Sequence, residues 1–144
     1  MRKILISVIG AREISGKVEQ LAHKIGKIIA KMECILVCGG LNGVMRESAK
    51  CAKSAGGMTL GILPEKEKKD ANPYIDIVIP TAIGFARNAI VACSADIIIA
   101  LPGSHGTPCL SPLRNRACRG HGGAVVVLKL FILAFGWGGA FASN

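Results

Sequence analysis

Apolar runs of strand length alternate along this chain with longer segments in which apolar residues recur every three or four positions. Residues 4–9 form a near-continuous run of Ile, Leu and Val, which is typical of a strand buried on both faces. The segment that follows predicts an amphipathic helix. Its apolar positions are Val18, Leu21, Ile25, Ile28, Ile29 and Met32. We place the N-cap of this helix at Ser15.

The same alternation predicts further strands at residues 34–38, 58–63, 75–79, 96–101 and 124–128, and helices at residues 43–55 and 83–93. Residues 65–73 form the only long link before residue 102. Strands that alternate with helices indicate right-handed βαβ crossovers. We therefore expect residues 1–144 to form one Rossmann-like α/β domain. Its doubly wound, mostly parallel sheet would have about six strands, with helices on both faces.

The amino-acid composition indicates the type of core and the cellular compartment. Of the 144 residues 51% are hydrophobic but only 4% are aromatic, so the core must be aliphatic. Six cysteines show no paired CxxC spacing, and four lie in apolar segments, where free thiols of a reducing compartment are usually buried. The first apolar run is too short for a signal peptide, and residues 124–134 are too short for a membrane span. We expect a cytoplasmic protein that does not bind membranes.

The formal charge of +9 favours an anionic ligand, because the basic residues are scattered and lack interleaved aromatic residues. Nucleic-acid binding is therefore not expected. The lysines of the first helix fall on one polar face, where solvated lysines are ordinary: Lys17, Lys24, Lys27 and Lys31.

Three predicted strands end in glycine-containing loops. Glycine allows the backbone to approach a phosphate and to adopt positive φ, and a following helix offers free N–H groups. Tight turns alone could explain any one loop, but three at the same sheet edge favour a phosphate site. The predicted contacts are Gly10, Arg12, Gly39, Gly40, Asn42, Gly43, Val44, Met45, Pro102, Gly103, Ser104, His105, Gly106 and Thr107.

Other short motifs accompany these loops in a characteristic order. They are Val8-Ile9-Gly10, Gly61-Ile62-Leu63-Pro64, Ala71-Asn72-Pro73-Tyr74, Ile79-Pro80-Thr81, Ala86-Arg87-Asn88-Ala89 and Ser94-Ala95-Asp96. With them, residues 3–107 resemble the molybdenum cofactor carrier-like branch of the Lonely Guy superfamily. Members are often labelled lysine decarboxylases, a label that these residues do not support. The resemblance implies a homo-oligomer, a dimer or tetramer, that holds a nucleotide or the molybdenum cofactor, a phosphorylated pterin, without a covalent bond.

Lonely Guy enzymes hydrolyse a nucleoside monophosphate to a free base and ribose 5-phosphate, with an Arg and the Glu of a PGGxGTxxE motif. Arg87 matches that Arg and, with Asn88, joins the predicted site, where it could hold a phosphate or stabilise the departing base. A surface arginine is the alternative interpretation. The Glu is absent after Thr107, and no acidic residue follows Asp96. We therefore predict a carrier, with a phosphoribohydrolase, in which Arg87 would be catalytic, as the alternative.

Remaining candidate groups are assigned structural roles. Asp96 would cap the start of the fifth strand, and Asp76 would point outward from an edge strand. No metal site is expected, because His105 has no neighbouring ligand, His23 lies on a helix surface and His121 falls in an anomalous stretch.

That stretch, residues 108–123, departs from the family pattern. Prolines and arginines replace the expected Leu-Ser-Glu-Ile-Ala helix. We interpret it as a misread frame, because a one-base shift of codons compatible with residues 113–121 encodes Ser-Glu-Ile-Ala-Leu-Ala-Glu-Gly. The atypical tail at residues 130–144 either packs on the sheet through its aromatic residues or is a second misreading.

Overall fold

The fold is described from a computed structural model, which describes residues 1–14, 16–101 and 124–127. The elements are β1 (Leu5–Ile9), α1 (Lys17–Lys31), β2 (Ile35–Cys38), α2 (Val44–Ser54), β3 (Met58–Leu63), β4 (Ile77–Pro80), α3 (Arg87–Cys93), β5 (Ile97–Ala100) and β6 (Ala124–Val127). Single 3₁₀ turns lie at Lys68–Asp70 and Gly84–Ala86. Residues 102–123 and 128–144, which include the anomalous stretch and the tail, lie outside the described residues.

The strands form one parallel sheet in the order β4-β3-β2-β1-β5-β6. The chain winds outward from β1 to β4 on one side and then returns to the other side of β1 for β5 and β6. The winding direction therefore reverses at β1. This arrangement confirms the predicted Rossmann-like, doubly wound α/β fold.

Alternate residues of β1 face opposite layers, which explains why its sequence is apolar throughout. Ile6 and Val8 belong to the main core with α1 and α2. Ile9 packs instead in a smaller cluster with Val91 of α3, and the Ser7 hydroxyl donates to the Val91 carbonyl at 2.6 Å. Helices thus cover both faces of the sheet.

A glycine sets the close crossing of α1 and α2. A Cβ atom at Gly26 would overlap the Ser48 carbonyl and lie 3.1 Å from the Ala52 amide nitrogen. The Ser48 hydroxyl bonds back to the Val44 carbonyl at 2.7 Å and so stays within its own helix. The middle of α1 therefore lies directly against the backbone of α2.

The structure corrects three predicted boundaries. The Gly84 backbone, at φ +60°, cannot continue an α-helix, so the helix predicted at residues 83–93 begins only at Arg87. β4 starts two residues later than predicted, because Ile75 packs against the main core and the Asp76 amide bonds to β3. The N-cap of α1 is Gly16, without a side-chain cap; Ser15 lies outside the described residues.

Burial corrects two further expectations. Ile28 and Met32 of the predicted apolar helix face are exposed, whereas Ile25 and Ile29 are buried, so the buried stripe of α1 is narrower than predicted. Cys34, Cys38 and Cys51 are buried free thiols as expected, whereas Cys93 is exposed. None of the helices within the described residues is long and apolar enough to cross a membrane.

Candidate functional site

The candidate site lies where the winding of the sheet reverses, at the carboxyl ends of β1 and β5. Ligands of open α/β sheets bind in the crevice at this point. Ile9 pairs with Ala100, and the Leu101 amide donates to the Ile9 carbonyl at 2.7 Å. The chains that leave β1 and β5 therefore start side by side. Six predicted contacts follow Leu101 and lie outside the described residues: Pro102, Gly103, Ser104, His105, Gly106 and Thr107.

The loop after β1 packs on the start of α2. A Cβ atom at Gly10 would lie 2.5 Å from the Val44 side chain, and the Val44 amide donates to the Ala11 carbonyl at 3.0 Å. Gly43 adopts φ +68°, and a Cβ there would lie 2.5 Å from the carbonyl carbon of Arg12. The structure thus brings these two predicted loops together. The Val44 amide and side chain are engaged in joining them, whereas Asn42 is exposed.

Arg87 occupies the centre of this region and is only 6% exposed, which rules out the surface alternative. Its guanidinium lies against the backbone of Gly39, where an added Cβ would be 2.6 Å from Cζ. Among the described residues, its side chain makes one hydrogen bond, from Nη1 to Oδ1 of Asn88 at 2.8 Å. Nε is buried and has no hydrogen-bond partner within that same part of the chain. Within the described part of the chain, no carboxylate forms an ion pair with Arg87.

Electrostatics around Arg87 disfavour its own charge. Burial lowers the pKa of Arg87, and the nearby positive charge of Arg12 lowers it further. The Arg12 guanidinium lies 5.4 Å from the centre of the Phe85 ring, and this ring is 75% exposed. Two cations and one exposed aromatic ring therefore lie close together at this sheet edge, a combination suited to an anion that carries a flat ring.

The loop after β2 is held by the Cys38 thiol and packs beside the Leu63 side chain. The Gly40 amide donates to the buried Cys38 thiol at 3.4 Å, and burial raises the pKa of Cys38 to about 11, so this thiol stays protonated. The thiol in turn contacts the Met45 carbonyl at 3.9 Å. Gly40 itself adopts φ +73°, and an added Cβ would lie 2.8 Å from the Leu63 side chain, so this position requires glycine.

Asn72 is a site-supporting residue that sequence reasoning assigned to a family motif but not to the site. Its backbone N–H donates to the Gly40 carbonyl at 2.9 Å, and its side-chain Nδ2 donates to the Leu41 carbonyl at 2.9 Å. Its Oδ1 accepts the Tyr74 amide at 3.1 Å. The sequence signal that could have pointed to this role is the Asn72-Pro73 pair within the polar link. Asn72 fixes the glycine loop from the neighbouring link.

Asp96 and Asp76, the two acidic residues to which the sequence assigned structural roles, lie at the opposite end of the sheet. Asp96 accepts hydrogen bonds from Arg2 and from the Leu5 amide, which fits the structural role predicted for it. Asp76 accepts bonds from Lys53 and Thr59, so it ties β4 to β3 and α2 instead of pointing freely outward. Neither carboxylate lies at the carboxyl ends of the strands.

Comparisons with known proteins identify the family of this chain. The sequence profile of the SLOG cluster4 family (LDcluster4) matches residues 3–111. An uncharacterized protein of Archaeoglobus fulgidus is 44% identical over 107 residues, which is 74% of this chain and 70% of the relative.

Two solved structures share the fold at appreciable identity. The molybdenum cofactor binding protein of Rippkaea orientalis is 34% identical with a TM-score of 0.79, over 88% of this chain and 77% of that one. The molybdenum cofactor carrier protein of Chlamydomonas reinhardtii is 35% identical with a TM-score of 0.77, over 88% and 76% of the two chains. From the profile match and the archaeal relative together, this chain belongs to the SLOG cluster4 family.

Proposed function

We propose that this chain binds a phosphorylated, nucleotide-like ligand in the cleft beside Arg87 and carries it without chemical change. The molybdenum cofactor is the ligand that we favour, as cargo rather than as a resident group. The two solved relatives, one named for binding and one for carrying this cofactor, support the proposal. Within the same proposal we place the chain in the Lonely Guy superfamily and expect a homo-oligomer.

The observation that carries the proposal is the buried, incompletely bonded guanidinium of Arg87. An arginine that is 6% exposed, and whose Nε has no partner among the described residues, costs folding free energy unless an anion compensates it. A phosphate offers three oxygen acceptors and can take two parallel N–H bonds from one guanidinium. Among the residues that the structure describes, Arg87 lacks an anionic partner, which supports a phosphate as the group that it binds.

The surroundings of Arg87 fit the rest of such a ligand. Gly39 has no Cβ in the space that the guanidinium occupies, and Arg12 adds a second positive charge nearby. The exposed Phe85 ring beside Arg12 offers a surface on which a pterin or a base can stack. Arg87 and Arg12 would hold the phosphate, and Phe85 would contact the ring system.

Arg87→Met tests the proposal, because Met removes the charge while filling similar apolar space. The full chain is incubated anaerobically with purified molybdenum cofactor, and protein-bound molybdenum is measured after gel filtration. We expect the wild type to retain the metal and Arg87→Met to retain at least tenfold less, a loss of about 1.4 kcal/mol or more. Arg2→Met is the matched control, because it removes the same charge at the opposite end of the sheet.

Two outcomes would contradict the proposal. Equal retention by Arg87→Met and Arg2→Met would show that Arg87 does not hold the ligand. Release of a free base when the wild type is incubated with a nucleoside monophosphate would show turnover in place of carriage, and would assign the phosphoribohydrolase activity.

A further inference from the structure

A second cluster of chemically active side chains lies between α1 and α2. Nε2 of His23 lies 2.7 Å from Oε2 of Glu47 and 4.0 Å from Oε1 of Glu19. One nitrogen and two oxygens thus fall within 4.8 Å of one another. All three residues are half-buried, so their ligand atoms are held by packing and remain reachable from solvent.

The close crossing of α1 and α2 creates this cluster. Glu19 and His23 are four residues apart and share one face of α1. Gly26, one turn further along α1, contacts the backbone at Ser48, which brings the preceding residue, Glu47, beside His23. The cluster is therefore built from two helices that the core already holds together.

We propose that Glu19, His23 and Glu47 bind a divalent transition-metal cation of the Zn²⁺ type that bridges α1 and α2. The proposal is independent of the function proposed for the Arg87 cleft and departs from the sequence-based expectation of no metal. Zn²⁺ accepts imidazole nitrogen and carboxylate oxygen at about 2.0–2.2 Å, with water completing a tetrahedron. Tetrahedral ligands at that distance lie roughly 3.4 Å apart. The 2.7 Å contact between His23 and Glu47 is a hydrogen bond whose proton the cation would displace, and His23 lies 4.0 Å from Glu19.

The donor set selects the class of cation. Ca²⁺ and Mg²⁺ prefer sites made entirely of oxygen, whereas an imidazole nitrogen suits Zn²⁺, Ni²⁺ and Cu²⁺. Two carboxylates with a neutral imidazole carry a charge of −2, which one divalent cation neutralises. The surrounding protein is strongly basic at +9, so this local negative charge is a departure from the molecule as a whole.

The test titrates metal-free protein with Zn²⁺ by calorimetry, comparing wild type with Glu19→Gln and His23→Gln. Glu19→Gln is the sharper variant because it keeps the His23–Glu47 pair, so the fold is preserved while one ligand is lost. We expect the wild type to bind one Zn²⁺ per chain. Each variant should bind Zn²⁺ at least about tenfold more weakly. Zn²⁺ should raise the melting temperature of the wild type more than that of His23→Gln at the same Zn²⁺ concentration.

Glu67→Gln is the matched control, since Glu67 is an exposed carboxylate paired with Lys69 and lies outside the cluster. Its Zn²⁺ affinity should equal that of the wild type. Co²⁺ substitution distinguishes cysteine binding: nitrogen and oxygen ligands give weak visible bands, whereas thiolates add strong near-ultraviolet absorption. Unchanged Zn²⁺ affinity in both variants, or thiolate-type Co²⁺ absorption that persists in them, would overturn the proposal.

Discussion

At the scale of single residues, the candidate site depends on the lack of a side chain at Gly39. The guanidinium of Arg87 fills the space that a side chain at Gly39 would take, with Cζ 2.6 Å from an added Cβ. The obstacle is the far end of a flexible side chain, not backbone. A larger residue there should therefore displace the arginine without breaking the fold.

Gly39→Ala is predicted to weaken retention of the molybdenum cofactor by roughly tenfold, about 1.4 kcal/mol, with little change in thermal stability. The reason is that a moved guanidinium no longer points at the ligand phosphate. Retention assays combined with a melting curve check both halves of the prediction. An affinity equal to that of the wild type would contradict it.

Gly43→Ala provides the contrast. Its φ of +68° and the neighbouring backbone of Ala11 and Arg12 leave nothing that can yield easily, so this variant should lose about 2 kcal/mol of folding free energy or more. Similar stability for the two alanine variants would mean that the junction of the two loops is softer than its geometry indicates.

Asn72→Asp tests the residue that anchors the glycine loop. Aspartate keeps the acceptor for the Tyr74 amide but loses the Nδ2 donor to the Leu41 carbonyl. It also sets a negative charge against that carbonyl. We expect a loss of about 1–3 kcal/mol in the free energy of unfolding, measured by urea denaturation. Asn42→Asp, at an exposed position, is the control that should change stability little.

At the scale of elements, periodicity located every strand and helix within the described residues, but it could not place the ends that depend on contacts between elements. β3 matches the prediction because its apolar run is bounded by glycine and proline. β4 was placed two residues early because Ile75 is apolar yet packs as part of the link against Gly61. The helix before β5 was placed too early because a positive φ at Gly84 cannot be read from its apolar neighbours.

The same limit applies to the site. Glycine loops at strand ends indicated where Gly10, Gly39 and Gly43 would converge, because parallel strands end at one edge. Sequence reasoning left the burial of Arg87 open between a ligand contact and a surface arginine, since that burial depends on how α3 meets β2. It also missed the pairing of His23 with Glu47, because the crossing of two helices has no signature in either helix alone.

Asp76 gives an element-scale prediction with a defined pH dependence. Burial raises the pKa of Asp76, but hydrogen bonds from Lys53 and Thr59 outweigh it and hold the pKa below its usual value. A carboxyl group whose folded pKa is depressed stabilises the fold fully above its unfolded pKa of about 3.9. That stabilisation is lost as the pH falls through the lower folded value.

We therefore expect Asp76→Asn to be less stable than the wild type at pH 7, with the difference shrinking below about pH 4. Urea denaturation at several pH values measures it. Asp70→Asn removes the same charge from an exposed turn and should leave stability nearly unchanged at pH 7. A constant difference for Asp76→Asn across the acid range would contradict the assignment of the effect to ionisation.

At the scale of the whole molecule, the parallel sheet separates two kinds of charge. Its amino end holds carboxylates that are already paired, Asp76 with Lys53 and Asp96 with Arg2. Its carboxyl end holds Arg87, whose pKa is lowered by burial and by Arg12. The paired carboxylates at the amino end stabilise the fold, whereas the buried charge of Arg87 at the carboxyl end has no carboxylate partner among the described residues.

We therefore predict that Arg87→Met is at least as stable as the wild type without ligand, and less stable than the wild type with ligand. Without ligand, Arg87→Met should be as stable as the wild type or more stable by about 1 kcal/mol, because it removes a buried, incompletely bonded charge and keeps the volume. With the molybdenum cofactor at 100 times its dissociation constant, the wild type should gain about 2.7 kcal/mol and the variant much less. Anaerobic thermal unfolding with and without the cofactor measures both orders. If the ligand-free variant were clearly less stable, Arg87 would serve the fold and not the ligand.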